Sequence, residues 1–206
     1  MLEIESKLYL GTEQAAREVC QKLNLPLKDG TFEKNRLFDF PDGRLVRRGA
    51  LVRIRERGTS GHLTYKEKSP EKVEHAKVRL EYDTAVSDPQ SVIQLLTSLG
   101  LEEIMTYERF RARHRLGDTH LEIDCMPGGW FCEIEGSPQE IARIRQSAGL
   151  DRHLSLVWSY PEIFTGLAGV ATSGARHWTF EAHRAGAPLL PPLGDPFWER
   201  AAREQD

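Results

Sequence analysis

The sequence lacks most of what marks a membrane, secreted or nucleic-acid-binding protein. No apolar run approaches the ~20 residues needed to span a bilayer. The acidic start, Met1-Leu2-Glu3-Ile4-Glu5, has no basic region of the kind that opens a signal peptide. Acids and bases nearly cancel, leaving a net charge of −3 in 206 residues. Bulk charge therefore points to neither nucleic acid nor a membrane surface as partner. Cysteine is scarce: Cys20, Cys125 and Cys132 fit neither a disulfide framework nor a zinc spacing, and a cytoplasmic location is expected. The histidines, His62, His75, His114, His120, His153, His177 and His183, form no metal-ligand pattern. A phosphate-cradling glycine loop is missing too, because Gly58-Thr59-Ser60-Gly61 lacks the Gly-Lys-Ser/Thr ending and reads as a hairpin turn.

What the chain does have is alternation. Segments at 2–9, 31–39, 50–57, 62–68, 76–85, 105–115, 119–125 and 130–135 alternate side-chain type with the period of strands. Helices are expected over 12–24, from the Ser87-Asp88-Pro89 start to Gly100, from the Ser137-Pro138-Gln139-Glu140 start to Gly149, and over 161–167. The prolines of Ala187-Pro188-Leu189-Leu190-Pro191-Pro192 cannot continue a helix or a central strand. The chain thus divides into a domain over 1–167 and a partly ordered appendage over 168–206, docked by Trp178, Phe197 and Trp198. Removing the appendage is expected to spare the chemistry.

The strands place charge on one face. Glu3, Glu5 and Lys7 share a face opposite Leu2, Ile4 and Leu8. Arg53 and Arg55, Lys66 and Lys68, Arg79 and Glu81, Arg109 and Arg111, Glu122 and Asp124, and Glu133 and Glu135 repeat the pattern. A solvated face with cross-strand salt bridges accounts for any one pair. It does not account for like charges recurring in strand after strand. Inversion does: if the strands close into a barrel, the apolar faces point outward under helices and the charges line the interior. Eight strands leave room for side chains or one small ligand. The expected class is α+β, a closed eight-stranded antiparallel β-barrel with a charged interior, with Ile4, Ile54, Phe110, Ile123 and Ile134 outward under helices.

The same residues resemble a known family. Glu3-Ile4-Glu5-Ser6-Lys7 resembles the E-x-E-x-K signature of the CYTH superfamily, the triphosphate tunnel metalloenzymes. Asn35-Arg36-Leu37-Phe38-Asp39, Gly43-Arg44-Leu45, Leu51-Val52-Arg53-Ile54-Arg55, Leu63-Thr64-Tyr65-Lys66 and Arg79-Leu80-Glu81 follow in the family's order. So do Tyr107-Glu108-Arg109-Phe110-Arg111, with arginine in place of a lysine, Leu121-Glu122-Ile123-Asp124, Phe131-Cys132-Glu133-Ile134-Glu135-Gly136 and Ser159-Tyr160. Several members carry a lysine or arginine before the late Ser-Tyr pair. Here Val157 and Trp158 stand there, so one phosphate contact is missing or comes from elsewhere; Arg176, His177 and Arg184 of the tail are candidates.

The resemblance implies a triphosphate ligand and Mg²⁺ or Mn²⁺. The ligand is tripolyphosphate, thiamine triphosphate or a nucleoside triphosphate. Lys7, Arg53, Arg55, Lys66, Arg109 and Arg111 are then the catalytic cations, with Lys68 and Arg79 beside them on the phosphates. Arginine's planar fork suits bidentate phosphate contact and lysine acts as a point charge. Glu3, Glu5, Glu122, Asp124, Glu133 and Glu135 are the expected metal ligands, because hard divalent ions prefer carboxylate oxygens. The leading expectation is a hydrolase that uses metal-activated water. A cyclase making cyclic AMP from ATP is the runner-up, although no adenine-pocket signal is present. A non-catalytic polyphosphate or nucleotide sensor is third. No nucleic-acid or membrane partner is expected, and a homodimer is compatible with the sequence.

Overall fold

The computed structural model describes residues 2–27, 29–71, 73, 76–151, 153–168, 176–184 and 190–203. His75, 187–189 of the proline cluster and the Arg176 side chain lie outside the described residues. Strand β1 (Leu2–Gly11) leads into helix α1 (Glu13–Lys22), which starts where the Thr12 hydroxyl accepts a hydrogen bond from the Ala15 amide at 3.2 Å. After β2 (Thr31–Asp39) comes a single turn, α2 (Arg44–Arg47). The sequence pattern does not announce this turn. It is held by Asp39, whose carboxylate accepts from the Leu45 and Val46 amides at 2.9 Å each.

Strands β3 (Leu51–Arg57) and β4 (Ser60–Lys68) flank the two-residue turn Gly58-Thr59, confirming the hairpin. Gly61 is required there, since a Cβ would sit 2.1 Å from the Arg55 carbonyl oxygen. β5 (Lys77–Val86) is followed by α3 (Pro89–Ser98), capped by Asp88. The long β6 (Glu102–Leu116), β7 (Thr119–Met126) and β8 (Gly129–Glu135) form a meander, and α4 (Pro138–Ala148) begins at the Ser137 cap and stops at Gly149 with φ +69°. The remaining elements are α5 (Tyr160–Ala168), β9 (Arg176–Trp178), α6 (Phe180–Arg184) and α7 (Pro196–Ala201).

The strands join in the order β2-β3-β4-β5-β1-β8-β7-β6, and pairing of β2 with β6 closes the ring. Every ladder of that ring is antiparallel. Apolar packing lies outside the wall. α1 and α4 cover Leu8, Leu10, Leu121, Ile123, Cys132 and Ile134, with Ile4 partly buried at the edge. Phe38, Leu45, Ala50, Ile54 and Leu96 form a second outer cluster with α2 and α3. Phe110 departs from the expectation: it points outward but is 41 % exposed, because only the rings of Phe32 and Phe180, 5.3 Å away each, lie against it. The described residues include no helix long and apolar enough to cross a membrane.

One end of the barrel splays at two seams, one filled by Leu156 ahead of α5 and the other by β9 of the tail. β1 leaves β5 after Glu5, and Leu156 then pairs with Lys7. β9 runs parallel to the first half of β6, at Met105–Tyr107, on the side where β7 takes over from Phe110 onward. At this end the interior positions turn apolar: Tyr9, Leu37, Met105, Met126 and Phe131 pack with Trp178, Phe197 and Trp198. The segment read as an appendage thus supplies a strand and a buried aromatic stopper.

Candidate functional site

The barrel encloses a cavity of about 560 Å³. All of the site residues expected from the sequence line it except Lys68 and Asp124. Lys68 overshoots the wall: it is exposed, and its stem lies across Gly49. Asp124 points inward but sits behind the lining, fully buried and saturated. It accepts from Arg109 at 3.1 Å, from Arg111 at 2.6 and 2.5 Å, and from the Tyr160 hydroxyl at 2.6 Å. Of the tail candidates, His177 and Arg184 are exposed and line no part of the cavity.

Charge is divided between two arcs. β6 and β3, on either side of β2, present Arg109, Arg111, Arg113, Arg53, Arg55 and Arg57. β5, β1, β8 and β7 present Glu81, Glu3, Glu5, Glu133, Glu135 and Glu122. Arg57 and Arg113 continue the period-two series one step beyond the pairs evident in the sequence, and Glu81, which the pattern pairs with Arg79, joins the lining without an expected role. Glu33 was missed as well. It is fully buried between Arg55 at 3.5 Å, Arg57 at 2.7 Å and Arg109 at 2.7 Å. Burial pushes its carboxyl up, but Arg109 and Arg55 override that and hold it far below the usual carboxylate range.

The basic arc carries more charge than Glu33 neutralises. On this arc Arg53 has no carboxylate within 4.0 Å among the described residues and donates to Thr64 Oγ1 at 3.2 Å; the same holds of Arg79 on β5, which donates to the Gly49 carbonyl at 2.7 Å. Burial, then Arg53 and Arg109, depress the Arg55 guanidinium to about 9. Against the upward push of burial, Arg53, Arg109 and Arg55 draw the Tyr107 phenol below its ordinary value. A surplus of this kind attracts negative charge.

The acidic arc divides into tied and free carboxylates. Glu133 is bound by Lys7 at 3.0 Å and by Arg111. Glu122 is bound by Arg111 and Arg113. Glu5 holds Lys7 at 3.0 Å, and Glu3 holds Lys66 at 2.6 Å. Glu135 has no ion-pair partner among the described residues, and burial with Glu122 and Glu5 raises its carboxyl. Burial, then Glu5, with Glu81 behind, push Glu3 up to about 7 despite Lys66. Crowded, under-compensated carboxylates are the donor chemistry a hard divalent ion takes. Among the described residues no three His, Cys, Asp or Glu are already grouped to hold one, and Glu3 is engaged by Lys66 at 2.7 and 2.6 Å.

Tyr160 joins the two arcs at the apolar end. Besides Asp124, it lies under Lys7 at 4.6 Å and Arg109 at 5.8 Å from its ring centre.

Comparison with known proteins agrees with this geometry. A family model described as the CYTH domain matches residues 1–149. The fold matches that of the PH1819 protein of Pyrococcus horikoshii, with TM-score 0.64 at 22 % identity over 78 % of this chain and 97 % of that one. It also matches a Vibrio parahaemolyticus protein provisionally labelled an adenylate cyclase, with TM-score 0.63 at 19 % identity over 80 % and 98 %. A third match is a Hippeastrum protein named as an adenylyl cyclase and described as having a dominant triphosphatase activity, with TM-score 0.59 at 19 % identity over 93 % and 99 %. At these identities the likeness establishes the fold. No curated protein matches the sequence.

Proposed function

The chain belongs to the CYTH family, and from that premise we propose that it is a divalent-metal-dependent triphosphatase acting in the cytoplasm on tripolyphosphate or an organic triphosphate. The observation that supports this reading most is the surplus of buried positive charge on one arc of the cavity, set against under-compensated carboxylates on the other.

Arg53, Arg55, Arg109 and Arg111 would receive the phosphate oxygens. Their guanidinium groups are already fixed by Glu33, Asp124 and Thr64, so little reorganisation is needed as charge builds on the transferring phosphoryl group. Lys7, Lys66 and Arg79 would add charge from β1, β4 and β5. Glu3, Glu5 and Glu135, with Glu122 and Glu133 beside them, would hold Mg²⁺ or Mn²⁺. When bound, such an ion supplies charge neutralisation and lowers the pKa of coordinated water. Asp124 is assigned to positioning Arg109, Arg111 and Tyr160 rather than to the metal.

Hydrolysis is preferred over cyclisation because every function named above acts on the phosphates, and no further group is needed beyond a water nucleophile. The test is to incubate the protein with tripolyphosphate, thiamine triphosphate and ATP, each with Mg²⁺ or Mn²⁺, and to follow phosphate, pyrophosphate and cyclic AMP separately. Phosphate release from at least one substrate is expected. Cyclic AMP as the main product would replace the hydrolase reading with the cyclase one.

A further inference from the structure

Lys77 takes no part in the phosphate grip read from the sequence. It opens β5, two residues before Arg79 on the same strand face, and its side chain lines the cavity at 13 % exposure. The β1–β5 ladder ends at this residue, opposite Glu5. Lys77 therefore stands where the barrel wall gives way to the segment leading into α5.

Its ion-pair partner comes from outside the cavity. Glu162 of α5 meets the ammonium at 3.1 Å, is 44 % exposed and does not line the cavity. The same carboxylate oxygen accepts from the Ser159 amide at 2.5 Å and from the Ser159 hydroxyl at 2.6 Å. Ser159 and Tyr160 do line the cavity. A cavity-facing lysine is thus held from behind by a half-exposed carboxylate that has other donors to keep it in place.

Such a pair is poised for exchange. Against the upward push of burial, Lys77 and then Ser159 hold the Glu162 carboxyl down at about 2; the two Ser159 bonds stay with it when the cation leaves, and an ammonium on a four-carbon stem re-aims without disturbing the backbone. A phosphate of a triphosphate carries more charge than Glu162 and would lie on the enclosed side. Val157 and Trp158, which precede Ser159, bring no cation to this wall; Lys77 does. Building on the triphosphate reading, we propose that Lys77 is a further substrate-binding residue. Glu162 holds it in reserve, and it passes to a phosphate oxygen when the cavity fills.

The test compares tripolyphosphate affinity and turnover for the wild type, Lys77→Met, Lys77→Arg, Glu162→Gln and Arg53→Ala. Lys77→Met is expected to raise Kd and KM by about tenfold or more, the scale of one charge-assisted contact, with a smaller effect on kcat. Lys77→Arg recovers most of the affinity. Glu162→Gln binds as tightly as the wild type or tighter, because the lysine has lost its competitor. If the pair only fastened α5 to the barrel, Lys77→Met and Glu162→Gln would both lower Tm and leave Kd alone, and the proposal would fall. Should Lys77→Met fail to fold, acylation of Lys77 in the wild type gives the answer. Tripolyphosphate is expected to slow it, and unchanged labelling at saturation overturns the proposal. If Arg53→Ala loses affinity while Lys77→Met does not, the triphosphate reading stands without this addition. If the wild type does not bind tripolyphosphate, both fail together.

Discussion

Arg111 and Asp124 are register partners across the β6–β7 ladder, and two bonds of 2.6 and 2.5 Å fix one guanidinium against one carboxylate inside the barrel. Asp124 also takes Arg109 and the Tyr160 hydroxyl. Asp124→Asn therefore leaves two buried arginines short of an anion. Breaking such a pair from one side costs about 3–5 kcal/mol. The variant is expected to unfold at much lower urea concentration than the wild type, with the loss present whether or not metal is added. A fold of normal stability that has lost only its metal response would return Asp124 to the metal ligands.

Glu3 gives a pH dependence. Its carboxyl is raised from 4.5 to about 7 by burial and by Glu5, with Glu81 adding to them. A carboxyl raised in the folded state contributes stability that is complete below its unfolded pKa and is lost as pH rises through the folded one. In chelator, Tm of the wild type should fall between about pH 5 and pH 8, and Glu3→Gln should flatten part of that slope. At pH 8 the variant should gain on the order of 1 kcal/mol relative to its standing at pH 5. Parallel Tm curves for the two proteins would contradict this.

Alternation made this much legible before any coordinates. Arg53 and Arg55, or Glu133 and Glu135, announce a charged face because period two is a local property of the strand. Depth along the barrel is not local, so period two alone puts Lys68 inside, where the structure leaves it exposed, and gives no sign of the buried Glu33. Nor does a face reveal whether its carboxylate is free. Asp124 and Glu135 look alike in sequence, and only cross-strand register shows that the first is consumed by Arg111 while the second is not. The turn α2 escaped because its support, Asp39, is a side-chain anchor rather than a repeat. β9 escaped because three residues carry too little pattern, and its place depends on the unfilled seam beside β6.

Glu135 separates metal binding from folding. It has no ion pair among the described residues, so Glu135→Gln removes a half-buried, repelled charge and should not lower Tm. Activity on tripolyphosphate should nevertheless fall by about a hundredfold, roughly 2.7 kcal/mol of transition-state stabilisation, and the remaining turnover should need more Mg²⁺ or Mn²⁺ to saturate. Metal titrations of initial rate, set beside thermal melts, check both parts. An unchanged metal requirement would remove Glu135 from the proposed site.

The C-terminal segment invites the last prediction, which reverses the expectation from sequence that its removal is harmless. Trp198 is 3 % exposed and stacks on Tyr9 with ring centres 4.0 Å apart, and its indole N–H donates to the Pro191 carbonyl at 3.1 Å. Trp178 is 1 % exposed and donates to the Pro127 carbonyl at 3.0 Å. The Ala201 carbonyl accepts from the Val157 and Trp158 amides at 3.0 and 3.2 Å, tying α7 to the segment that enters α5. Tyr160, at the start of that helix, holds Asp124 and lies under Lys7. Loss of the stopper should therefore be transmitted through packed atoms to the proposed phosphate grip. Trp198→Ala should cost about 3–5 kcal/mol, the usual range for emptying a buried aromatic site. Deletion from Gly174 onward should cost more, since it also uncovers the β6 seam. Activity measured well below the lowered Tm should fall in step with the change at Tyr160, and near-ultraviolet circular dichroism should report the loosened aromatic cluster. A truncated protein with wild-type Tm and wild-type turnover would show that the barrel closes without the segment.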